Sequence, residues 1–455
     1  MEHLTKRWIS FYGDDFTGST DSMEALELGG VRTVLFLRPP EPELLERFPE
    51  VRAFGVAGVT RSMNPAEMER ELVPAFAALR AAGTSIVHYK ICSTFDSSPD
   101  VGSVGKAIEL GRAAFGESSV PLLVGAPQLR RYTVFGNHFA AAADGTHRLD
   151  RHPTMSRHPV TPMDEADLRL HLRRQTSLTT SLMDVLDLDG EPEAVRERLT
   201  RRLADRPDIV LYDVLDEARL EKVGGLLWQG AAEGARFVVG SSGVEYALTA
   251  HWRRIGLTEP EAPHIRSRGD AGPVLAVSGS CSPATAAQIR FAIARGFEGM
   301  RVEAERFLDR EEAEAYRAKL LEAALAVLGE GRSPLLYTAL GPDDPGIERL
   351  RRRLAASGRE ALDTGRLIGE QLGKLTREVV ERTGIRRLLA AGGDTSGYVT
   401  KELGIRALSF AMPLAPGSPL CISHAEDPRF DGKEIALKGG QVGKEDYFVR
   451  VRDGA

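Results

Sequence analysis

The chain contains 455 residues, of which 42% are hydrophobic and 27% are charged, and its formal net charge is -6. This length is more than one hydrophobic core usually serves and predicts two domains, and the composition excludes a disordered or fibrous chain. The mild acidity, with charges of both signs interspersed, gives no reason to expect a nucleic acid or an anionic membrane as a partner.

Cysteine usage and the N-terminus lead us to expect a cytoplasmic protein. Cys92, Cys281 and Cys421 are far apart and form no Cys-x-x-Cys pair, which argues against a zinc or redox motif and favours a reducing compartment. The first residues carry no apolar signal region, and no apolar run approaches the length of a membrane span.

The first predicted unit is a strand followed by a helix. Residues 8–12 are mostly aromatic and β-branched, which is typical of a short buried strand, and Gly13 allows a sharp turn. Ser19 or Thr20 is the expected N-cap of the helix, with Asp21 in its first turn.

Asp14 and Asp15 lie where this strand ends. Ligands of open α/β sheets bind at the carboxyl ends of the strands, so these two carboxylates are candidate catalytic residues. The alternative is that they only form a turn or cap the helix.

Further apolar runs alternate with stretches of helical composition, which predicts parallel βαβ units. A helix is predicted over 65–82, with a possible kink at Pro74. The predicted strands of this half cover 33–37, 53–59, 85–91, 120–125, 208–214 and 236–240.

Polar residues follow the strand at 85–91. Lys90, Ser93 and Thr94 combine a cation with hydroxyl groups and could hold a hydroxylated or carboxylated small molecule. An ordinary Asp/Ser turn is the alternative for this loop. Arg131 and Asn137 lie in the polar stretch after the next strand and are further candidates for substrate binding.

Residues 151–162 are rich in proline, lack periodicity and are predicted to form a loop. Arg157 and His158 in this loop can donate hydrogen bonds to an oxyanion. His152 and His158 match no common zinc spacing, and a plain surface loop is the alternative.

Residues 258–273 are charged, poor in apolar residues and punctuated by Pro and Gly, which predicts an interdomain linker. The predicted fold is therefore α/β with two domains, 1–257 and 274–455, each a largely parallel sheet flanked by helices.

Small-residue loops follow the predicted strands of the second domain. Backbone N–H groups at helix N-termini, with glycines that permit close approach, are a common phosphate site, although a structural turn is the alternative. Ser282 and Pro283 are expected to start one helix, and another is expected over 398–403. The candidate nucleotide-binding residues are Ser278, Ser280, Ser282, Gly392, Gly393, Asp394, Thr395, Gly417 and Gly439.

Four motifs, in this order and spacing, together resemble the four-carbon acid sugar kinase family. They lie at 13–21, 278–285, 391–396 and 437–440, so the resemblance covers nearly the whole chain. It implies ATP-dependent phosphorylation of a small sugar acid, such as a tetronate or 3-oxo-tetronate, with the acid bound by the N-terminal domain and ATP by the C-terminal domain.

The resemblance also implies roles for residues. Asp14 and Asp15 become the candidate base and metal-side carboxylate, and the loops at 278–282, 392–395 and Gly439 would hold ATP. Mg²⁺ is the expected cofactor, with its ligands undetermined. The sugar acid and ATP are the expected partners, and a homo-oligomer is possible.

One loop departs from the family pattern. Typical members have Lys-x-Asp-Ser-Thr-x-Arg-Gly where this chain has Cys92 in place of the Asp and Asp96 in place of the Arg. The swap reverses local charge, so we expect the acid to be held differently. Arg130, Arg131, Arg151 and Arg157 are candidate replacements, and the pattern is closer to a branch that includes kinases for branched acids such as 3-oxo-isoapionate.

Two rival functions remain open from the sequence. A phosphatase with an aspartyl nucleophile would place its second aspartate at position 16, which is Phe16 here. A non-catalytic sensor would bind acid and nucleotide without releasing ADP.

Overall fold

The computed structural model describes residues 7–142, 144–158, 160–232, 236–259, 267–357 and 364–454. The chain forms two compact units, 1–263 and 264–455, and each is described separately. Part of the predicted linker, 260–266, lies outside the described residues, so the linker and the domain limits stay predictions.

The main sheet of the first unit is parallel throughout, in the order β2-β3-β1-β4-β11-β5-β10-β9. Strands such as β1 and β4 are buried along their whole length, and such strands carry continuous apolar runs. The strands are β1 (Ile9–Gly13), β2 (Thr33–Phe36), β3 (Ala53–Ala57), β4 (Ile86–Lys90), β5 (Val120–Leu123), β9 (Thr180–Met183), β10 (Ile209–Tyr212) and β11 (Arg236–Gly240).

Helices connect most of these strands, as βαβ units require. They are α1 (Phe16–Leu28), α2 (Pro42–Glu46), α3 (Pro65–Ala81), α4 (Val104–Phe115), α5 (Leu168–Arg173), α6 (Pro192–Leu203), α7 (Glu217–Ala231) and α8 (Gly243–Arg254). Pro74 lies inside α3 without ending it.

A separate three-stranded antiparallel sheet follows β5 and was not predicted. It consists of β6 (Arg131–Val134), β7 (Asn137–Ala142) and β8 (Gly145–Arg148). Its first turn uses positive φ angles at Phe135 and Gly136, whose N–H groups both donate to the Asp213 carboxylate. Gly136 is a local signal for this two-residue turn, but the carboxylate that stabilises the turn is distant in sequence.

The second unit has a mixed sheet in the order β13-β14-β12-β15-β18-β17-β16. The pairs up to β18 are parallel, whereas β16, β17 and β18 pair antiparallel. The strands are β12 (Leu275–Ser278), β13 (Phe297–Arg301), β14 (Ser333–Tyr337), β15 (Arg387–Ala391), β16 (Ile405–Ala415), β17 (Ser418–Ala425) and β18 (Glu434–Lys438).

The helices of the second unit are α9 (Pro283–Ala294), α10 (Arg310–Gly329), α11 (Pro345–Ser357), α12 (Thr364–Thr383), α13 (Gly393–Glu402) and α14 (Tyr447–Asp453). Largely parallel sheets with connecting helices in both units confirm the predicted fold class. No helix among the described residues has the length and apolarity needed to cross a bilayer.

Two predicted helix starts are wrong. Helix α1 begins at Phe16, with Asp15 rather than Ser19 or Thr20 as its N-cap, because the extended Asp15 backbone lets its carboxylate accept from Gly18 N–H. Helix α13 begins at Gly393 rather than at 398, so most of the predicted glycine-rich loop forms the first turns of the helix. The predicted start of α9, with Ser282 as N-cap before Pro283, is confirmed.

Candidate functional site

Three neighbouring strands of the first unit end beside one another. Gly13 at the end of β1 pairs with Ala57 of β3 on one side and with Lys90 of β4 on the other. Asp14 follows β1 directly, and its N–H donates to the carbonyl oxygen of Lys90 at 2.8 Å. The polar residues after β1, β3 and β4 therefore gather at one edge of the sheet.

Arg61, which follows β3, binds both aspartates at this edge. Its guanidinium donates to Asp14 from Nε (3.1 Å) and Nη2 (2.7 Å), and to Asp15 from Nη1 and Nη2 (both 2.8 Å). Burial lowers the Arg61 pKa, but the two carboxylates outweigh it and raise that pKa above its usual value. The guanidinium thus stays charged and fixes both carboxylates.

The two aspartates differ in environment. The Asp14 side chain is 5% exposed, and burial raises its pKa while Arg61 acts in the opposite direction. The Asp15 side chain is 27% exposed and also caps α1 through the Gly18 N–H at 2.8 Å. Asp15 is therefore the carboxylate that a ligand can reach.

Lys90 completes this carboxylate cluster, which comprises Asp14, Asp15, Arg61 and Lys90, and Gly18 lies against it. Lys90 Nζ is buried and lies 4.0 Å from Asp21 Oδ2. A Cβ atom added at Gly18 would stand 2.4 Å from Asp15 Oδ1 and 2.5 Å from Lys90 Nζ. Glycine is consequently needed for the ammonium and the carboxylate to approach the helix backbone so closely.

Ser93 and Thr94 lie in the turn that follows β4. The Ser93 carbonyl accepts a hydrogen bond from His138 Nε2 at 2.8 Å, and Thr133 Oγ1 lies 3.0 Å from His138 Nδ1. Because burial lowers the His138 pKa to about 4, the imidazole is neutral, with its proton on Nε2 and with Nδ1 accepting from Thr133. Thr94 Oγ1 donates to Asp96 Oδ1 at 2.7 Å.

Arg131 and Asn137, two other predicted substrate residues, begin the first two strands of the small antiparallel sheet. Burial lowers the Arg131 pKa and the Asp96 carboxylate acts in the opposite direction, so Arg131 is within electrostatic reach of the turn. Asn137 begins β7, and its side chain donates weakly to Phe135 O at 3.4 Å.

Arg157 and His158 are not brought to the carboxylate cluster by any polar contact of the described residues. Arg157 is exposed, and His158 Nδ1 accepts from the Thr161 N–H at 3.1 Å. The two residues occupy the predicted loop, where short 3₁₀ turns replace regular structure.

The second unit contains a glycine-lined cleft of about 450 Å³ at the starts of α9 and α13. Among the predicted nucleotide residues, it brings together Ser280, Ser282, Gly392, Gly393, Asp394 and Thr395. Gly279, Gly365, Gly440 and Gln441 are among its other lining residues. Two helix N-termini at one cleft form a suitable site for phosphate groups.

Hydrogen bonds hold the cleft loops against each other. Ser282 Oγ accepts from Thr285 N–H and donates to Gly440 O, to which Thr285 Oγ1 also donates at 2.7 Å. Gly392 caps α13 with a φ of 114°, which only glycine adopts readily, and its N–H donates to Lys438 O at 2.9 Å. Burial lowers the Lys438 pKa to about 8.

Three predicted nucleotide residues do not line this cleft. Ser278 ends β12 with a buried Oγ that has no partner among the described residues, and Gly279 next to it does line the cleft. Gly439 precedes the lining residue Gly440. Gly417 lies in the turn between β16 and β17.

Sequence reasoning missed Arg61, Gly18 and His138. Arg61 is separated from Asp14 by 47 positions, and only its place after the strand next to β1 could have indicated it. His138 was part of a polar stretch whose strand structure was not recognised.

Two family models match the chain over most of its length. A sugar-binding N-terminal domain matches residues 9–248, and a nucleotide-binding C-terminal domain matches residues 275–448. Together they confirm the family that the sequence motifs predicted.

Two curated relatives are similar to this chain along nearly its whole length. A protein of Paraburkholderia graminis named 3-oxo-isoapionate kinase is 48% identical, with 98% of this chain and 94% of that protein covered. A Cupriavidus necator protein named 3-oxo-tetronate kinase is 30% identical, with coverage of 96% and 94%. A crystal structure from Salmonella typhimurium LT2 superposes with a TM-score of 0.79 at 26% identity, covering 97% of this chain and 98% of its own.

Proposed function

The chain belongs to the four-carbon acid sugar kinase family, and we propose on that basis that it transfers the γ-phosphoryl group of ATP to a hydroxyl of a small sugar acid. Relatives named for 3-oxo-isoapionate and 3-oxo-tetronate support an oxo-acid of four or five carbons as the substrate. The observation that carries the proposal is the pair of carboxylates clamped by Arg61, since a kinase needs a fixed carboxylate beside its acceptor hydroxyl.

Asp15 is the proposed base. It is the more exposed aspartate, and its carboxylate is fixed by Arg61 and by the start of α1. Asp15 would orient the acceptor hydroxyl and take its proton as the hydroxyl oxygen bonds to the γ-phosphorus and the bond to ADP breaks. Asp14 would act through Arg61 and not touch the substrate. Because phosphoryl-transfer transition states are loose, positioning matters more than strong basicity.

The sugar acid would lie over the carboxylate cluster and the turn after β4. Lys90 supplies a buried cation close to Asp15, and Ser93 and Thr94 supply hydroxyl groups. Arg131 is within electrostatic reach of this turn, which supports it as a contact for an oxygen atom of the acid other than its carboxylate. Asn137, Arg157 and His158 stay predictions.

ATP would occupy the glycine-lined cleft of the second unit. The starts of α9 and α13 at this cleft would direct backbone N–H groups at phosphate oxygens, and the cleft loops pack so closely that a Cβ at Gly440 would lie 2.8 Å from Ser280 Oγ. Its volume of about 450 Å³ is within the range of small-molecule sites.

Mg²⁺ fits the cleft only as a phosphate-bound ion. The described residues contain no group of three or more side chains able to ligate a metal, but Mg²⁺ bound to ATP commonly needs one or two protein carboxylates and keeps several waters. Asp394 lines the cleft and is the carboxylate that would hold it. When bound, the ion neutralises charge on the β- and γ-phosphates.

A coupled ADP-release assay tests this function. The purified protein is given ATP and Mg²⁺ with a panel of tetronates, pentonates and branched oxo-acids, and we expect ADP release that depends on one or a few of them. Acid and nucleotide binding without ADP release would instead favour a sensor. Phosphate release from phosphorylated acids without ATP would favour a phosphatase.

A further inference from the structure

A directed chain of hydrogen bonds runs through the turn after β4. Thr94 Oγ1 donates to Asp96 Oδ1 at 2.7 Å, and Cys92 Sγ lies 3.0 Å from Thr94 Oγ1. Thr94 has a single hydroxyl proton and donates it to Asp96, so the Cys92 thiol must donate to Thr94. Burial, with Asp96 acting in the same direction, raises the Cys92 pKa to about 11, which keeps the thiol protonated.

This chain of hydrogen bonds ends on a carboxylate that a ligand can reach. Asp96 is partly exposed, and its Oδ2 atom makes no hydrogen bond or ion pair with any residue of the described ranges. Thr94 is 7% exposed and has already used its only proton. The turn therefore offers an incoming molecule acceptors at Asp96 and no donor from Cys92 or Thr94.

The turn is also close to the groups that would handle the substrate. Cys92 interacts electrostatically with Arg61, which holds the two aspartates, and Asp96 interacts with Arg131. Because Lys90 of the carboxylate cluster ends β4 and Asp96 lies in the turn that follows, a molecule that extends from the cluster over this turn would meet Asp96 with one end. A carboxylate at that end would be repelled by Asp96, whereas a hydroxyl group could donate to it.

We propose that Asp96 is a specificity-determining residue, which accepts a hydrogen bond from a non-reacting hydroxyl of the sugar acid and keeps the acid's carboxylate away from this end. Thr94 and Cys92 are positioning residues that hold the Asp96 carboxylate in one orientation. This inference rests on the proposed kinase function. A site built to bind a hydroxyl discriminates strongly against an analogue that lacks it, because its buried acceptor is then left unpaired.

The test combines enzyme variants with substrate analogues. Asp96→Asn keeps the size of the side chain, removes its charge and replaces one acceptor by a donor. Kinetics are measured for the best acid of the panel and for analogues that each lack one hydroxyl. In Asp96→Asn we expect kcat/KM for the best acid to fall by about 30-fold, mainly because KM rises. For the analogue that lacks the bound hydroxyl, we expect the same substitution to lower kcat/KM by less than about threefold. Thr94→Val should give a smaller loss with the same pattern.

Asp100→Asn is the matched control, since Asp100 is an exposed carboxylate in the same loop. We expect this variant to leave every kcat/KM value unchanged. Equal losses for the parent acid and all deoxy analogues in Asp96→Asn would overturn the inference and reduce Asp96 to a structural residue of the turn. Unfolding midpoints of the variants show whether they are folded, and Asp96→Glu provides a second variant if Asp96→Asn is not.

Failure of the proposed function has a different signature. Wild-type protein would then release no ADP with any acid, whatever residue stands at position 96. Calorimetric titration with the same acids would still compare wild type with Asp96→Asn, and equal affinities would overturn the role of Asp96.

Discussion

His138 donates a hydrogen bond from Nε2 to the main-chain oxygen of Ser93, and so ties the small antiparallel sheet to the turn after β4. Burial lowers the His138 pKa from 6.5 to about 4, so between these values the unfolded chain binds a proton that the folded protein does not. The free energy of unfolding is therefore expected to fall as the pH drops from 6.5 towards 4.

The measurement is denaturant unfolding of wild type and His138→Gln across this pH range. The variant lacks the titrating group, so the difference between the two proteins should shrink as the pH falls. A constant difference would show that folding does not change the His138 pKa and would contradict the burial of a neutral imidazole.

Arg61→Gln should destabilise the protein more at neutral than at acidic pH. Burial raises the pKa of Asp14, and Arg61 and Lys90 oppose this rise. Without the Arg61 guanidinium only Lys90 in the cluster opposes it, so the pKa of Asp14 in the folded protein rises further above 3.8. When a carboxyl group has a higher pKa in the folded than in the unfolded protein, the free energy of unfolding falls as the pH rises from the unfolded pKa to the folded pKa. Chemical denaturation at several pH values measures this trend. Arg61→Lys keeps the charge but not the two-sided geometry, so it should restore much of the stability and little of the activity.

Asp14→Asn and Asp15→Asn should separate stability from catalysis. Asn caps a helix about as well as Asp, although it can accept only one of the two hydrogen bonds from Arg61, so Asp15→Asn should lower the unfolding midpoint only slightly while lowering kcat by about 100-fold or more. Asp14→Asn leaves the buried side of Arg61 unpaired and should cost on the order of 3 kcal/mol of stability. If Asp15→Asn phosphorylated the acid at the wild-type rate, Asp15 would lose its proposed role.

Gly18→Ala should damage the carboxylate cluster. The added methyl would lie 2.4 Å from Asp15 Oδ1 and 2.5 Å from Lys90 Nζ, so both groups must move. A displacement of this size costs about 100-fold in kcat/KM when the displaced group is catalytic. Gly329→Ala is the control, because a Cβ there meets no atom within 4 Å at the end of α10. Full activity of Gly18→Ala would refute the assignment of this cluster to catalysis.

Gly279→Ala should weaken nucleotide binding selectively. Its Cβ would come within 2.4 Å of Thr395 Oγ1 at the wall of the cleft, whereas a Cβ at Gly397 on α13 would meet nothing within 4 Å. We expect the KM for ATP to rise about tenfold in Gly279→Ala, with the KM for the acid unchanged, and no effect in Gly397→Ala. An unchanged affinity for ATP by calorimetry would place the nucleotide elsewhere.

The sequence was informative where structure is local. Buried parallel strands carry apolar runs, so the strand at 236–240 and most others were predicted to within two residues. The N-cap at Ser282 was likewise predictable from one residue and its neighbour. The start of α1 was missed because several residues could cap that helix, and only the backbone conformation of Asp15 decides among them.

The candidate site was less predictable, because its contacts join distant segments. Adjacency in sequence pointed to Asp14 and Asp15, but the partner of both is Arg61, which reaches them only through the pairing of β1 with β3. The small antiparallel sheet was missed for a similar reason, since the carboxylate that supports its first turn is Asp213, about 80 positions away.

The position of β11 in the first sheet determines when this sheet can fold during synthesis of the protein. This strand, 236–240, is inserted between β4 and β5, and the N–H of Ile91 donates to Gly240 O at 2.7 Å. The turn that carries Ser93, Thr94 and Asp96 therefore gains this hydrogen bond to β11 only after the ribosome has added some 150 further residues. A nascent chain that ends before 236 exposes the edges of β4 and β5 to pairing with other chains. Early termination in this stretch should thus yield aggregation-prone fragments rather than a partly active enzyme.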